Sequence, residues 1–316
     1  LRNELTYSGH LTINAPDLRQ LASAAGAKLP EGDVYKSFSL SGDTSGGAND
    51  VLLKNALVEF DKVRATGEAA LSFSPRPRLT GSLTTGDIDI TPYAKASGAP
   101  AEEPKKSGGW GSTPIDLSPL KLADAELNLK TGGVKYEKFD FGPSNIAVNL
   151  KGGRLVADLK QTSLFGGAGG ASFVADGSSA VPAIAVKANL DALALKPFMV
   201  AAAGFDMLEG KGDVKVDIAG SGADLQSLMS SLAGNGKFAF GEGVIKGVNL
   251  TELGSAAKTA LTSKSLSLSA FGASQQTKFN NLGASFVMKD GVAAMADLKL
   301  DAGAFNVAGG GSLDIG

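Results

Sequence analysis

The sequence predicts a mainly β fold: a long, antiparallel sheet of repeated hairpins with three or four short helices. Three observations predict it. Apolar and polar residues alternate along most of the chain. Turn residues interrupt that alternation at short, even intervals. Helical spacing of apolar residues is confined to a few brief stretches.

The alternation is clearest in KVRATGEAALSFS, residues 62–74. Val63, Ala65, Gly67, Ala69, Leu71 and Phe73 fall on one face, and Lys62, Arg64, Thr66, Glu68 and Ser72 on the other, because successive strand side chains point to opposite sides. The pattern returns in SNIAVNL (Ile146, Val148, Leu150), GRLVADLKQTSLF (Leu155, Leu159, Phe165), GGASF (Phe173) and AIAV (Ile184, Val186). It continues in DVKVDIAG (Val214, Val216, Ile218), GKFAF (Phe238, Phe240), GVAAMADLKL and AFNVAGGGSLDI. Roughly seventeen such segments follow one another about 8 to 12 residues apart, the spacing of an antiparallel meander. Glycine supplies 42 of 316 residues, about 13% against a usual ~7%, and reads as turns and bulges. Parity slips between Leu83 and Ile88, so a bulge is expected near Gly86.

Helical spacing marks APDLRQLASAAG, with Leu18, Leu21 and Ala25, and three later stretches near 197–204, 223–233 and 250–262. Residues 94–114 mix Ala, Gly, Pro, Ser and charge, which is linker composition. The expected organisation is therefore an N-terminal β module at 1–93 with one helix, a flexible linker at 94–114, and a C-terminal β module at 115–316. An internal repeat relates 67–93 to 169–198: Pro77 and Pro92 are 15 residues apart, as are Pro182 and Pro197, and Tyr93 matches Phe198 in offset.

Chemistry-bearing signals are sparse. The chain has no cysteine and one histidine, which excludes disulfides, thiolate catalysis and any His cluster. His10 reads as a polar residue on an exposed strand face. The net charge of −2, with no basic run, argues against nucleic acid. No phosphate-binding or nucleophile-elbow motif is present; the glycine runs at 165–171 and 241–247 sit between strands. Asp87 and Asp89 share a strand face, as do Asp213 and Asp217, and read as solvent-facing. The expectation is a protein that is not an enzyme and uses no cofactor or metal.

So many half-apolar strands leave much one-sided surface, and a few short helices cannot cover it. A second sheet, closure into a barrel, or an open groove filled by ligand would each do so. An outer-membrane barrel would carry aromatic girdles, which 1 Trp and 4 Tyr do not supply. An acyl chain needs no specific polar contact, because burying it gains ~0.8 kcal/mol per CH₂.

The ordered set LTINAPDLRQLASAAGAKLP, FSLSGD, RPRLTGSLTTGDIDITPY, GWGSTPIDL, TSLFGGAGGASF, DLQSLMSSLAGNGKF and GGGSLDI resembles the AsmA family of Gram-negative envelope proteins, over nearly the whole chain. The resemblance implies a twisted sheet curled into a long apolar groove, of the kind found in bridge-type lipid transfer proteins. It implies a periplasmic location, tethered to the inner membrane by an anchor outside this chain. It also implies phospholipid transport between the inner and outer membranes and support of envelope integrity. No catalytic residue carries over. The chain, which begins inside an apparent strand, is expected to be the C-terminal portion of a longer protein.

On this reading the lipid-groove candidates are Val63, Leu71, Phe73, Ile146, Val148, Leu150, Leu155, Leu159, Phe165, Phe173, Ile184, Val186, Val214, Val216, Ile218, Phe238 and Phe240. The partners are phospholipid acyl chains and an outer-membrane or periplasmic protein. The alternative is a structural or interaction module that aids outer-membrane protein assembly and holds no lipid.

Overall fold

The computed structural model describes residues 6–24, 29, 32–73, 75–96, 110–112, 114–263, 269–303 and 305–316. Among the described residues seventeen strands are assigned, in mixed pairing. Contacts divide the chain into two compact units: Leu1–Ser163 with Gly170–Val186 and Gly220–Ser231, and Leu164–Gly169 with Lys187–Ala219 and Leu232–Gly316.

The first unit opens with β1 (Tyr7–Ala15) and helix α1 (Leu18–Ala24). The strands β2 (Phe38–Gly46), β3 (Asp50–Phe60), β4 (Val63–Ser72) and β5 (Arg78–Asp89) then follow. From β1 to β5, consecutive strands pair antiparallel. Helix α2 (Thr91–Ala96) follows β5, and the chain returns as β6 (Asp124–Tyr136). Strand β6 runs parallel to β5, from Arg78 opposite Asp124 to Asp89 opposite Lys135. The expected antiparallel sheet thus contains a parallel pair. Parallel neighbours need a crossover of a dozen or more residues, and α2 with the stretch before β6 provides it. Short turn spacing, the signal read from sequence, is blind to such a connection.

Three further strands, β7 (Phe139–Phe141), β8 (Ser144–Lys151) and β9 (Arg154–Leu164), complete the pairing on this side. Strand β6 pairs with both β7 and β8, and β8 pairs with β9. The bulge expected near Gly86 is absent: register runs unshifted from Thr85–Thr131 to Asp87–Gly133. The apolar positions change parity together on both strands, from Leu83 to Ile88 and from Leu129 to Val134, and Ile88 pairs with Val134.

Strands β10 (Gly167–Asp176) and β11 (Ala183–Ala194) lead to α3 (Leu195–Ala203). Beyond them lie β12 (Leu208–Ser221), α4 (Leu225–Ser230), β13 (Ala233–Val248) and α5 (Leu250–Ser263). The chain finishes with β14 (Phe271–Phe279), β15 (Asn281–Lys289), β16 (Val292–Asp301) and β17 (Asn306–Asp314). Strand β13 has 16 residues, long enough to pair with β15 along its first half and β14 along its second. Strands β15, β16 and β17 continue as an antiparallel meander.

Among the described residues there are five α-helices, one more than the upper expectation. The unforeseen one is α2, six residues long, whose Pro92 sits in the first turn where its missing N–H costs nothing. Helix α4 is fixed by a capping box: Asp224 Oδ1 accepts from the Ser227 amide at 2.7 Å, and Ser227 Oγ accepts from the Asp224 amide at 3.2 Å. The compact units do not follow the linker. The first unit includes chain on both sides of it, and residues 97–109 and 113 lie outside the described residues.

Candidate functional site: an uncharged apolar sheet face

Cross-strand register assembles the site row by row, because residues directly opposite in neighbouring strands share a face. In the first unit one row runs through Tyr7, Gly46, Val51, Leu71, Leu79, Ala125, Leu150 and Leu155. A second runs through Gly9, Thr44, Leu53, Ala69, Gly81, Leu127, Val148 and Ala157. A third joins Ala56, Gly67, Leu83, Leu129, Ile146 and Leu159. None of the three contains a charged side chain.

A fourth row changes character. Ile13, Leu40, Val58 and Ala65 give way to Thr85, Thr131 and Ser144. Ser144 Oγ donates to the Gly142 carbonyl and lies within hydrogen-bond distance of Thr162 Oγ1, both at 2.8 Å. Thr131, Ser144 and Thr162 are buried, so this hydroxyl line satisfies itself. The apolar floor of the first unit thus ends in a line of hydroxyls, with Asp87 opposite Gly133 one position further on the same face of β5.

The opposite face takes the charges. Glu59 pairs with Arg64, and Arg78 with Glu126 at 2.7 Å, on the alternate residues of the same strands.

In the second unit, one row joins Ile218, Gly234, Met288, Ala293 and Leu313, and the next Val216, Gly236, Phe286, Met295 and Gly311. Another joins Gly212, Phe240, Leu282, Leu300 and Val307. A hollow of about 590 Å³ opens among Phe238, Phe240, Leu282, Ala284, Leu300 and Val307, with Lys237, Asp297, Lys299 and Asp301 also in its lining, which is a ligand-sized volume. Ion pairing again lies on the alternate residues: Lys187 meets Asp217 at 2.8 Å.

The structure places Val63, Leu71, Ile146, Val148, Leu150, Leu155 and Leu159 on the one face of the first unit. Phe73 follows the last residue of β4 and is exposed, as is Phe173 on β10. Ile184 and Val186 are half-buried on β11. Val214, Val216, Ile218 and Phe238 lie half-buried on the apolar face of the second unit. Phe240 is only 5% exposed and packs in a core cluster with Leu195 of α3 and Phe279 of β14. The expectation that Phe165 continues the strand is corrected. Strand β9 ends at Leu164, and Phe165 turns with a φ of 48°, its ring 6.3 Å from that of Phe198 on α3.

Sequence reasoning missed Val51, Leu53, Val58, Leu127 and Leu129. In β3 the cause is physical. Register shifts between Leu53 and Ala56, where Asn55 takes a φ of 50°, so the inward residues change from odd to even numbers. Strict period two cannot follow that change.

Among the described residues no cluster of three or more His, Cys, Asp or Glu could hold a metal. No described helix is long and apolar enough to cross a membrane. What the geometry offers is an alkyl surface whose register rows carry no charge, backed by a polar one.

The sequence matches the AsmA family model over residues 4–298. The chain belongs to the AsmA family. That family is generally associated with the cell envelope. No curated protein and no solved structure matches the chain.

Proposed function

We propose that this AsmA-family chain is a lipid-binding segment of a periplasmic, inner-membrane-tethered protein, supporting phospholipid transport between the two membranes and envelope integrity. One observation carries the reading: three uncharged rows on one face of the first unit, the longest spanning eight strands. Seven strand spacings of ~4.8 Å make such a row about 34 Å wide along the sheet. The hydrocarbon of one bilayer leaflet is about 15 Å deep, half of a ~30 Å core, so a row offers length for acyl chains to lie across several strands. Each methylene removed from water contributes ~0.8 kcal/mol, and uncharged walls let the chain slide without breaking polar contacts.

Native mass spectrometry with solvent extraction tests this on chain purified gently from a Gram-negative host. Co-purifying diacyl phospholipid is expected, with loss of most of it in Leu159→Asp and Val216→Asp proteins that keep their far-ultraviolet circular dichroism. A clean unliganded mass with no uptake of added fluorescent phospholipid would overturn the proposal.

One observation favours a second reading, a scaffold that aids outer-membrane protein assembly. Strand β17 is exposed at all nine positions, and an exposed strand can bind a partner's strand through its backbone.

A further inference from the structure

The polar face of the first unit carries an arrangement that lipid binding does not use. His10 on β1 stands directly opposite Asp43 on β2, and Ser41 lies two residues along β2 on the same face. His10 Nδ1 is 3.2 Å from Asp43 Oδ1, and Nε2 is 3.0 Å from Ser41 Oγ. Asn55 Nδ2 donates to the other Asp43 oxygen at 2.9 Å. The hydrogen bonds from Asn55 and His10 hold the Asp43 carboxyl below its usual range, so it stays an acceptor. With the imidazole proton on Nδ1, facing Asp43, Nε2 is free to accept from Ser41. This is the carboxylate–imidazole–hydroxyl order that activates a serine, recognised by geometry and not by fold.

A second observation adjoins it. A hollow of about 710 Å³, lined by Lys54, Asn55, Leu57, Thr66, Glu68, Ser82 and neighbours, opens on β3, β4 and β5. Leu57 is the register partner of Ser41, and Lys54 that of Asp43. The hydroxyl and the hollow therefore border one another. The lining offers the Lys54 ammonium, the Glu68 carboxylate, the Asn55 amide, several hydroxyls and the Leu57 alkyl side chain, a surface for a small polar molecule with a short apolar part.

We propose that Ser41 is an activated nucleophile that hydrolyses small carboxylic esters seated in this hollow. Ser41 Oγ bonds to the ester carbonyl carbon while its proton passes to His10 Nε2. Lys54 supplies positive charge for the oxygen that becomes negative. The ester C–O bond then breaks, and the departing alkoxide takes the proton from His10. Water, losing a proton to His10, attacks the acyl-serine, releases the carboxylic acid and returns the proton to Ser41. The site is open to solvent, so the gain is that of general-base assistance, about 10²–10⁴-fold.

The test uses the full chain with p-nitrophenyl acetate and, separately, a fluorophosphonate probe followed by peptide mass spectrometry. The expected result is one adduct, on Ser41, and ester turnover above buffer. Ser41→Ala should abolish both; His10→Ala should slow both about 100-fold or more, with the melting temperature held in each. An adduct elsewhere, no adduct, or turnover that survives Ser41→Ala would overturn the proposal. Ser41 lies on the face opposite the apolar rows, so Ser41→Ala should leave phospholipid content unchanged. The two proposals therefore fail independently.

Discussion

Asp61 shows how one residue fixes a corner of the sheet. It takes a φ of 51° at the turn between β3 and β4. Its carboxylate accepts from the amides of Tyr35, Lys36 and Ser37 at 2.8, 2.7 and 3.0 Å and from the Tyr93 hydroxyl at 2.9 Å. Burial pushes this carboxyl upward, but the hydrogen bonds from Ser37, Tyr93, Lys36 and Tyr35 outweigh it and hold it below the usual range. Burial and the same Asp61 contact push the Tyr93 phenol upward. A carboxyl depressed in the folded state stabilises it above the unfolded value of ~3.9, and that contribution is lost as pH falls through the folded value. Melting curves of wild type and Asp61→Asn should therefore differ most near pH 7, and the gap should shrink below about pH 4.

Gly236 makes the opposite kind of point. A Cβ there would sit 2.3 Å from the Phe286 ring. In the sequence, glycine reads as turn and bulge composition, yet here it is a strand residue that lets an aromatic ring come close to the backbone. Gly236→Val should cost about 1–3 kcal/mol in urea denaturation by driving that ring outward.

At the scale of elements, the molecule repeats a hairpin closed by a helix. Strands β3, β4 and β5 lead to α2, and β9, β10 and β11 lead to α3. In the first set the turn residue Asp61 has a left-handed φ, and Tyr93 of α2 stacks on Phe60 with centroids 5.5 Å apart. In the second, Phe165 itself has the left-handed φ, and Phe198 of α3 packs against it edge-on. The equal proline spacing and the Tyr93–Phe198 match made this repeat legible. Both prolines enter the first turn of the closing helix, and both aromatics reach back to the turn. Phe198→Ala should lower stability by about 2 kcal/mol, less than for a fully buried ring, as measured by urea midpoint.

Alternation at Val63–Leu71 and Ile146–Leu150 also read correctly, since those strands carry one face without a break. What sequence hid lies where parity or order changes. The Asn55 bulge re-aims half of β3, and the long crossover makes β5 and β6 parallel. The relay of His10, Ser41 and Asp43 needs the pairing of β1 with β2, which no spacing along the chain announces.

For the molecule as a whole, the account rests on chemical sidedness within each unit. Alkyl rows occupy one face and ion pairs the other. A sheet of this kind needs an apolar cover, and a mobile acyl chain provides one without specific contacts. The most direct measurement is photocrosslinking in living cells with benzoylphenylalanine at neighbouring positions of opposite face: Val148 against Asn149 in the first unit, and Val216 against Asp217 in the second. The account predicts phospholipid adducts from Val148 and Val216 and few from Asn149 and Asp217. Equal lipid labelling from both faces, or protein adducts alone from Val148 and Val216, would contradict it.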